Sequence, residues 1–181
     1  MSTHINFIPI NIAVVTISDT RVLDNDKSGD ILEKRVLESN HKIISREIVK
    51  DDFDKIFQLF QNLINNKKID VIISTGGTGL TGRDITPEVM KTLFDKTIDG
   101  FGEMFRWLSY SKIGTSALQS RALAGVSNGT YIFVLPGSPS ACKDAWDEIL
   151  SHQLDYRHKP CNFVEIMPRL LENNKGRSGK K

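Results

Sequence analysis

The stretch Ile69-Asp70-Val71-Ile72-Ile73-Ser74-Thr75-Gly76-Gly77-Thr78-Gly79, continuing as Leu80-Thr81-Gly82-Arg83-Asp84-Ile85-Thr86-Pro87-Glu88, decides the fold. Its opening run is apolar, rich in β-branched residues and too short for most helices, so it predicts a buried strand over residues 69–74. Three glycines then fall within the four residues Gly76, Gly77, Thr78 and Gly79. Lacking a Cβ, they reach positive φ and can press backbone N–H groups against a bulky anion. Thr86 offers a side-chain oxygen as a helix N-cap, and Pro87 suits the first helical position, where its missing N–H would have no partner anyway. The helix so begun turns its positive end toward the loop. A glycine run of this kind also fits an ordinary tight turn, and it is neither a Walker loop nor the spaced Gly-x-Gly-x-x-Gly of a dinucleotide fold. Asp84 beside the loop favours a ligand. A carboxylate there repels a phosphate unless a cation stands between them, which points to Mg²⁺ bridging Asp84 to phosphate oxygens.

Outward from this stretch, strand and helix signals alternate. Residues 11–17 form an apolar, largely β-branched run closed by Ser18-Asp19-Thr20, which predicts a central strand. Ser28-Gly29-Asp30 opens a helical stripe of Ile31, Leu32, Val36 and Leu37 that ends near Asn40. Residues 42–49 predict a second strand, and Asp51-Asp52 precede an amphipathic helix carrying Ile56, Leu59, Phe60, Leu63 and Ile64. This βαβαβ order demands a parallel sheet with right-handed crossovers and helices on both faces. Beyond it, residues 97–112 predict a helix with Phe101, Phe105 and Leu108 on one side. The apolar runs 122–126 and 131–135 flank Ser127-Asn128-Gly129-Thr130, and Asn-Gly between apolar runs signals a hairpin, so one strand runs antiparallel. Pro136-Gly137-Ser138-Pro139 ends the last strand, and residues 140–150 read as a final helix. A cleft belongs where the loops after Ile17, Val49, Thr75 and Leu135 meet the carboxyl ends of the strands.

At 181 residues, the chain predicts one compact domain over residues 1–172, followed by a basic tail, 173–181, without apolar residues and expected to be disordered. Lys+Arg number 24 against 22 Asp+Glu, and the basic excess sits mainly in the tail, so charge does not call for nucleic acid. Cys142 and Cys161 have no metal-type spacing and read as reduced thiols. His4, His41, His152 and His158 form no spaced ligand set and read as surface or structural residues. No stretch approaches ~18 consecutive apolar residues, and no leader pattern opens the chain. The expectation is a soluble, cytoplasmic protein that engages no membrane.

With these motifs in view, the sequence resembles the MoaB/MogA family of molybdenum cofactor biosynthesis proteins over residues 12–162. The resemblance is carried by Ser18-Asp19, the Asp51 region, Thr75-Gly76-Gly77-Thr78-Gly79 with Arg83-Asp84-x-Thr86-Pro87-Glu88, Gly102-Glu103-x-x-Arg106, Ser120-Arg121 and Leu135-Pro136-Gly137-x-Pro139. The runs Gly114-Thr115-Ser116-Ala117-Leu118-Gln119-Ser120-Arg121 and Lys159-Pro160-Cys161-Asn162-Phe163 are similar to the bacterial MoaB branch. The resemblance implies a three-layer α/β/α sandwich with a mostly parallel sheet, assembled as a trimer or hexamer. It also implies adenylylation of molybdopterin by ATP with Mg²⁺, and contact with other molybdenum cofactor enzymes. Asp51 and Asp84 correspond to the catalytic, metal-holding aspartates. Gly76, Gly77, Thr78, Gly79, Pro136 and Gly137 line the nucleotide and phosphate site. Ser109, Ser120 and Arg121 are similar to the family's pterin-phosphate contacts, a hydroxyl and a planar guanidinium fork suiting phosphate.

Alternatives stay open for several residues. Asp51 and Asp52 both fit the cap of the following helix, the resemblance favouring Asp51 for chemistry. Asp19 fits a turn as well as the site, and Arg83 a phosphate contact or a surface ion pair. Glu103 and Arg106 fit a helix ion pair or support of the site. Three function classes follow: a molybdopterin adenylyltransferase, a non-catalytic molybdopterin-binding or carrier protein of the same fold, and an oligomer whose loop is empty. The helix with Phe101, Phe105, Trp107 and Leu108 is apolar on more than one face, which predicts a subunit interface.

Overall fold

The computed structural model describes residues 6–172; the basic tail predicted over 173–181 lies outside the described residues. A six-stranded sheet has the order β2-β1-β3-β6-β5-β4. Its strands are β1 (Asn11–Ile17), β2 (Lys42–Val49), β3 (Val71–Thr75), β4 (Lys96–Thr97), β5 (Leu123–Ser127) and β6 (Thr130–Leu135). The pairs β1–β2, β1–β3 and β3–β6 are parallel, whereas β5 runs against both β6 and β4. The mostly parallel sheet with one reversed strand is therefore present. Asn128 and Gly129, at φ 47° and 84°, turn the β5–β6 hairpin, because a two-residue turn of matching twist needs positive φ at both central positions.

Alternation along the strands divides the core in two. Ile12 and Val14 of β1, Val71 and Ile73 of β3, and Phe133 and Leu135 of β6 face one side, where they pack with helix α1 (Lys27–Glu38) through Leu32 and Val36. The same side receives Phe101 and Phe105 of the helix over Asp99–Ile113, and Cys142 and Ala145 near the C-terminal end. Ala13, Val15 and Ile17 of β1 with Ile132 and Val134 of β6 face the other side. There they meet Ile56 and Phe60 of α2 (Phe53–Asn65) and Val89 and Met90 of α3 (Thr86–Leu93). Strands buried on both faces are why the sequence shows continuous apolar runs rather than polar alternation. Helix α4 spans Asp99–Ile113, and α5, Pro139–Ala145, runs on through a π-turn at Trp146–Leu150 into Ser151–Gln153.

Element ends shift from the sequence reading by one or two residues, β3 to 71–75 and β5 to 123–127 among them, and three differences have a local cause. Helix α1 begins at Lys27, because Asp26 accepts from the Gly29 N–H at 3.0 Å and caps it, one residue ahead of the predicted opening. Strand β4 is only two residues long, too short to leave a periodic pattern. Ile85, not Thr86, occupies the N-cap of α3, and it offers no side-chain bond; Thr86 is the first helical residue. Among the described residues no helix is long and apolar enough to cross a membrane.

Candidate functional site

Strand β1 leads to β2 on one side and lies beside β3 on the other, so the chain's direction of winding reverses at β1–β3. A crevice opens at the carboxyl ends of strands at such a point. Here the loops after Ile17 and Thr75 meet. Gly76, at φ 105°, lies so close to the Ile17 carbonyl that a Cβ would stand 2.1 Å from its oxygen. Gly77, at φ 64°, has Thr86 Oγ1 at 2.2 Å and both Asp51 carboxylate oxygens at 3.1 Å from a would-be Cβ. The glycines are thus required by close approach as well as by backbone sign.

Two depressions flank this loop. One, of about 380 Å³, is lined by Ser18, Asp19, Thr20, Arg21, Asp26, Lys27, Ser28, Asp51, Thr75 and Pro139 among others. The second, of about 440 Å³, has Phe105, Ile113, Pro136 and Ala141 as apolar wall and Thr78, Ser109, Gln119 and Ser120 as polar groups. Gly76, Gly77, Asp84 and Gly137 border both. A wider groove of about 670 Å³ extends from Asp19 over the edge strand β2, past Arg21, Glu47 and Lys50. The structure therefore brings Asp51, Asp84, the glycine loop, Pro136, Gly137, Ser109 and Ser120 into one two-lobed cleft.

The two aspartates meet opposite conditions. Asp84 accepts from both the Thr81 hydroxyl at 2.6 Å and the Thr81 N–H at 3.0 Å, and these bonds hold its pKa below the usual carboxylate range. Burial pushes the Asp51 carboxyl up, opposed by the Ile85 N–H and reinforced by the charges of Asp84 and Asp19. Asp51 Oδ1 is buried and has no hydrogen-bond partner among the described residues. Its neighbour Asp52 takes the capping role for α2, accepting from the Lys55 N–H at 3.0 Å. Asp52, not Asp51, is therefore the cap of α2.

The cationic residues are used differently from a free phosphate fork. Arg121 donates to the carbonyls of Gly79 at 2.9 Å and Asp84 at 2.6 Å, and pairs with Glu88, so it clasps the loop between residues 79 and 84. Arg83 pairs with Asp19 across the mouth of the first depression. Arg106 donates to the Ala122 carbonyl at 3.1 Å, and among the described residues Glu103 forms no ion pair with it. Ser109 donates back to the Phe105 carbonyl at 2.8 Å, leaving its oxygen able to accept at the cleft wall. Two contributors escaped the sequence reading: Thr81, visible as a threonine three residues before Asp84, and Asp26, whose Oδ2 accepts from Thr16 at 2.7 Å and pairs with Arg46 beneath the first depression.

The donor set fits a divalent magnesium ion. Two like-charged carboxylates share a cleft, and all the donors they offer are hard oxygens. Among the described residues no group of three or more His, Cys, Asp and Glu is arranged to hold a metal. Magnesium is commonly held by one or two carboxylates plus substrate phosphates, so a pair suffices.

Comparison with known proteins gives the family. Residues 13–156 match the family described as a probable molybdopterin binding domain. The chain is 46% identical over 157 residues to molybdenum cofactor biosynthesis protein B of Escherichia coli K12, covering 87% of this chain and 92% of that protein. The crystal structure of a molybdenum cofactor biosynthesis protein B is similar at a TM-score of 0.79 and 42% identity, covering 81% of this chain and 92% of that one. The tungsten cofactor synthesizing protein MoaB of Pyrococcus furiosus is similar at a TM-score of 0.72 and 36% identity, covering 80% and 92%. With the loop, the acid pair and the sheet order in place, the chain belongs to the MoaB/MogA family of molybdenum cofactor biosynthesis proteins.

Proposed function

We propose that this protein adenylylates molybdopterin with Mg²⁺ and ATP. The terminal phosphate oxygen of molybdopterin bonds to the α-phosphorus of ATP, the bond from that phosphorus to the bridging oxygen breaks, and pyrophosphate leaves with the electron pair. The observation that carries this reading is the two-lobed cleft whose halves meet at Gly76, Gly77, Asp84 and Gly137. A reaction between two phosphate-bearing substrates needs two adjoining sites with the reacting phosphates at the shared border. The apolar wall of Phe105, Ile113 and Ala141 suits the flat pterin, with Ser109 and Ser120 offering polar contacts.

The chain's own residues supply placement and charge. The glycine loop brings backbone without bulky side chains to the border, leaving room there for phosphate. Thr81 fixes the Asp84 carboxylate in its ionised form, and Arg121 holds the loop around it. Asp51 and Asp84 are the residues that would hold magnesium, which when bound offsets the negative charge where two polyanions meet.

Asp84→Asn preserves size and shape while removing one charge. Turnover is expected to fall at least ~100-fold, about 2.7 kcal/mol of transition-state stabilisation, with Asp51→Asn behaving alike. The double variant should be barely worse than either single one, since both act through one ion. Near-normal turnover of Asp84→Asn at saturating Mg²⁺ contradicts the assignment. Binding of molybdopterin without turnover in the unmodified protein would favour a carrier instead.

A further inference from the structure

We propose that the Thr86 hydroxyl is a positioning residue for Asp51, engaged when Mg²⁺ and nucleotide phosphate occupy the cleft; the inference rests on the reading of Asp51 given above. Thr86 is 0% exposed, and among the described residues its Oγ1 has no hydrogen-bond partner. The second unpartnered atom in the same place is Asp51 Oδ1. Both lie against Gly77, on which a Cβ would stand 2.2 Å from the hydroxyl and 3.1 Å from the carboxylate oxygens. One atom is a donor and the other an acceptor, so a single contact formed between them on ligand binding would satisfy two buried atoms at once.

The ordinary reasons for a threonine at this position do not apply. It is not the N-cap, a place taken by Ile85, and its backbone is already used through the N–H donated to the Gly77 carbonyl at 3.1 Å. Packing alone is met equally well by valine, which has the same shape and no hydroxyl to desolvate. Asp51 lines the cleft while Thr86 lies behind it, so Thr86 acts through the aspartate rather than on substrate. A buried polar group left unpaired is costly, and such costs persist where they serve a site.

The test compares Thr86→Val with Thr86→Ser in the full chain, reading thermal unfolding without ligand, MgATP affinity by calorimetry, and turnover. For valine, the expected midpoint without ligand is equal to or above the unmodified protein's, because a desolvated hydroxyl is gone. MgATP affinity and kcat should each fall ~10-fold with valine and stay within ~3-fold with serine. In the Asp51→Asn background, valine should add no further loss. Unchanged affinity and kcat in Thr86→Val overturn the proposal, as does a loss that multiplies with that of Asp51→Asn. If the unmodified protein binds MgATP but makes no product, the adenylylation reading fails, and the valine–serine difference in affinity alone decides the role of Thr86. If it binds no MgATP, both fall.

Discussion

His41, at the start of β2, shows how one buried residue sets the response to pH. It is 4% exposed, accepts from the Ile10 N–H through Nδ1 at 3.3 Å, and lies against the rings of Phe7 and Trp146. Burial pushes its pKa down to about 4, only partly opposed by the charge of Asp155. A folded value below the unfolded 6.5 means that the unfolded chain binds the proton first. The stability due to neutral His41 is full above the unfolded value and drains away as pH falls toward the folded one, by about 3 kcal/mol in all. Urea unfolding across this window should show His41→Leu less stable at neutral pH but with a flatter fall toward acid. Equal slopes for the two proteins would contradict the assignment. At the same scale, the site shows what a sequence conceals. Asp84 and the glycines announce themselves by type and spacing. Arg121, which the resemblance implies as a phosphate contact, instead clasps the loop, a role without sequence signal because its partners are the carbonyls of Gly79 and Asp84.

Elements bring these residues together, and their junctions carry much of the constraint. The β1 and β3 ends are pinned where Gly76 crowds the Ile17 carbonyl, so Gly76→Ala introduces both a positive-φ penalty and a clash with backbone that cannot step aside. A loss of at least ~2 kcal/mol in denaturation is expected, with the cleft disturbed as well. Asp52→Ala removes only the cap of α2 and should cost about 1 kcal/mol while leaving MgATP affinity intact. A large affinity loss in Asp52→Ala would mean that the two adjacent acids have been assigned the wrong way round. Strands β1, β3 and β6 were legible in the sequence because burial on both faces writes continuous apolar runs, and the hairpin because Asn128-Gly129 fits few other conformations. The start of α3 was read one residue late because cap and first helical residue differ by a single dihedral setting, which side-chain type does not report.

For the whole molecule, the sheet, its two helical layers and the position of the cleft follow from topology, whereas assembly rests on what the surface leaves bare. Phe101 and Phe105 of α4 enter the core, but Met104, Trp107 and Tyr110 of the same helix are 51%, 75% and 61% exposed. Their three-residue spacing sets them along one side of the helix. An exposed aromatic and methionine stripe of this kind marks an interaction face. Self-association through it is expected, so light scattering should return a multiple of the 20.3 kDa chain mass, and Trp107→Glu should reduce it to that mass. A monomer at every concentration would refute the expectation without touching the cleft. The cleft itself is tested most directly by product. Purified protein mixed with molybdopterin, Mg²⁺ and ATP, then separated by chromatography, is predicted to yield adenylyl-molybdopterin and an equal amount of pyrophosphate. Recovery of unmodified molybdopterin and ATP would contradict it.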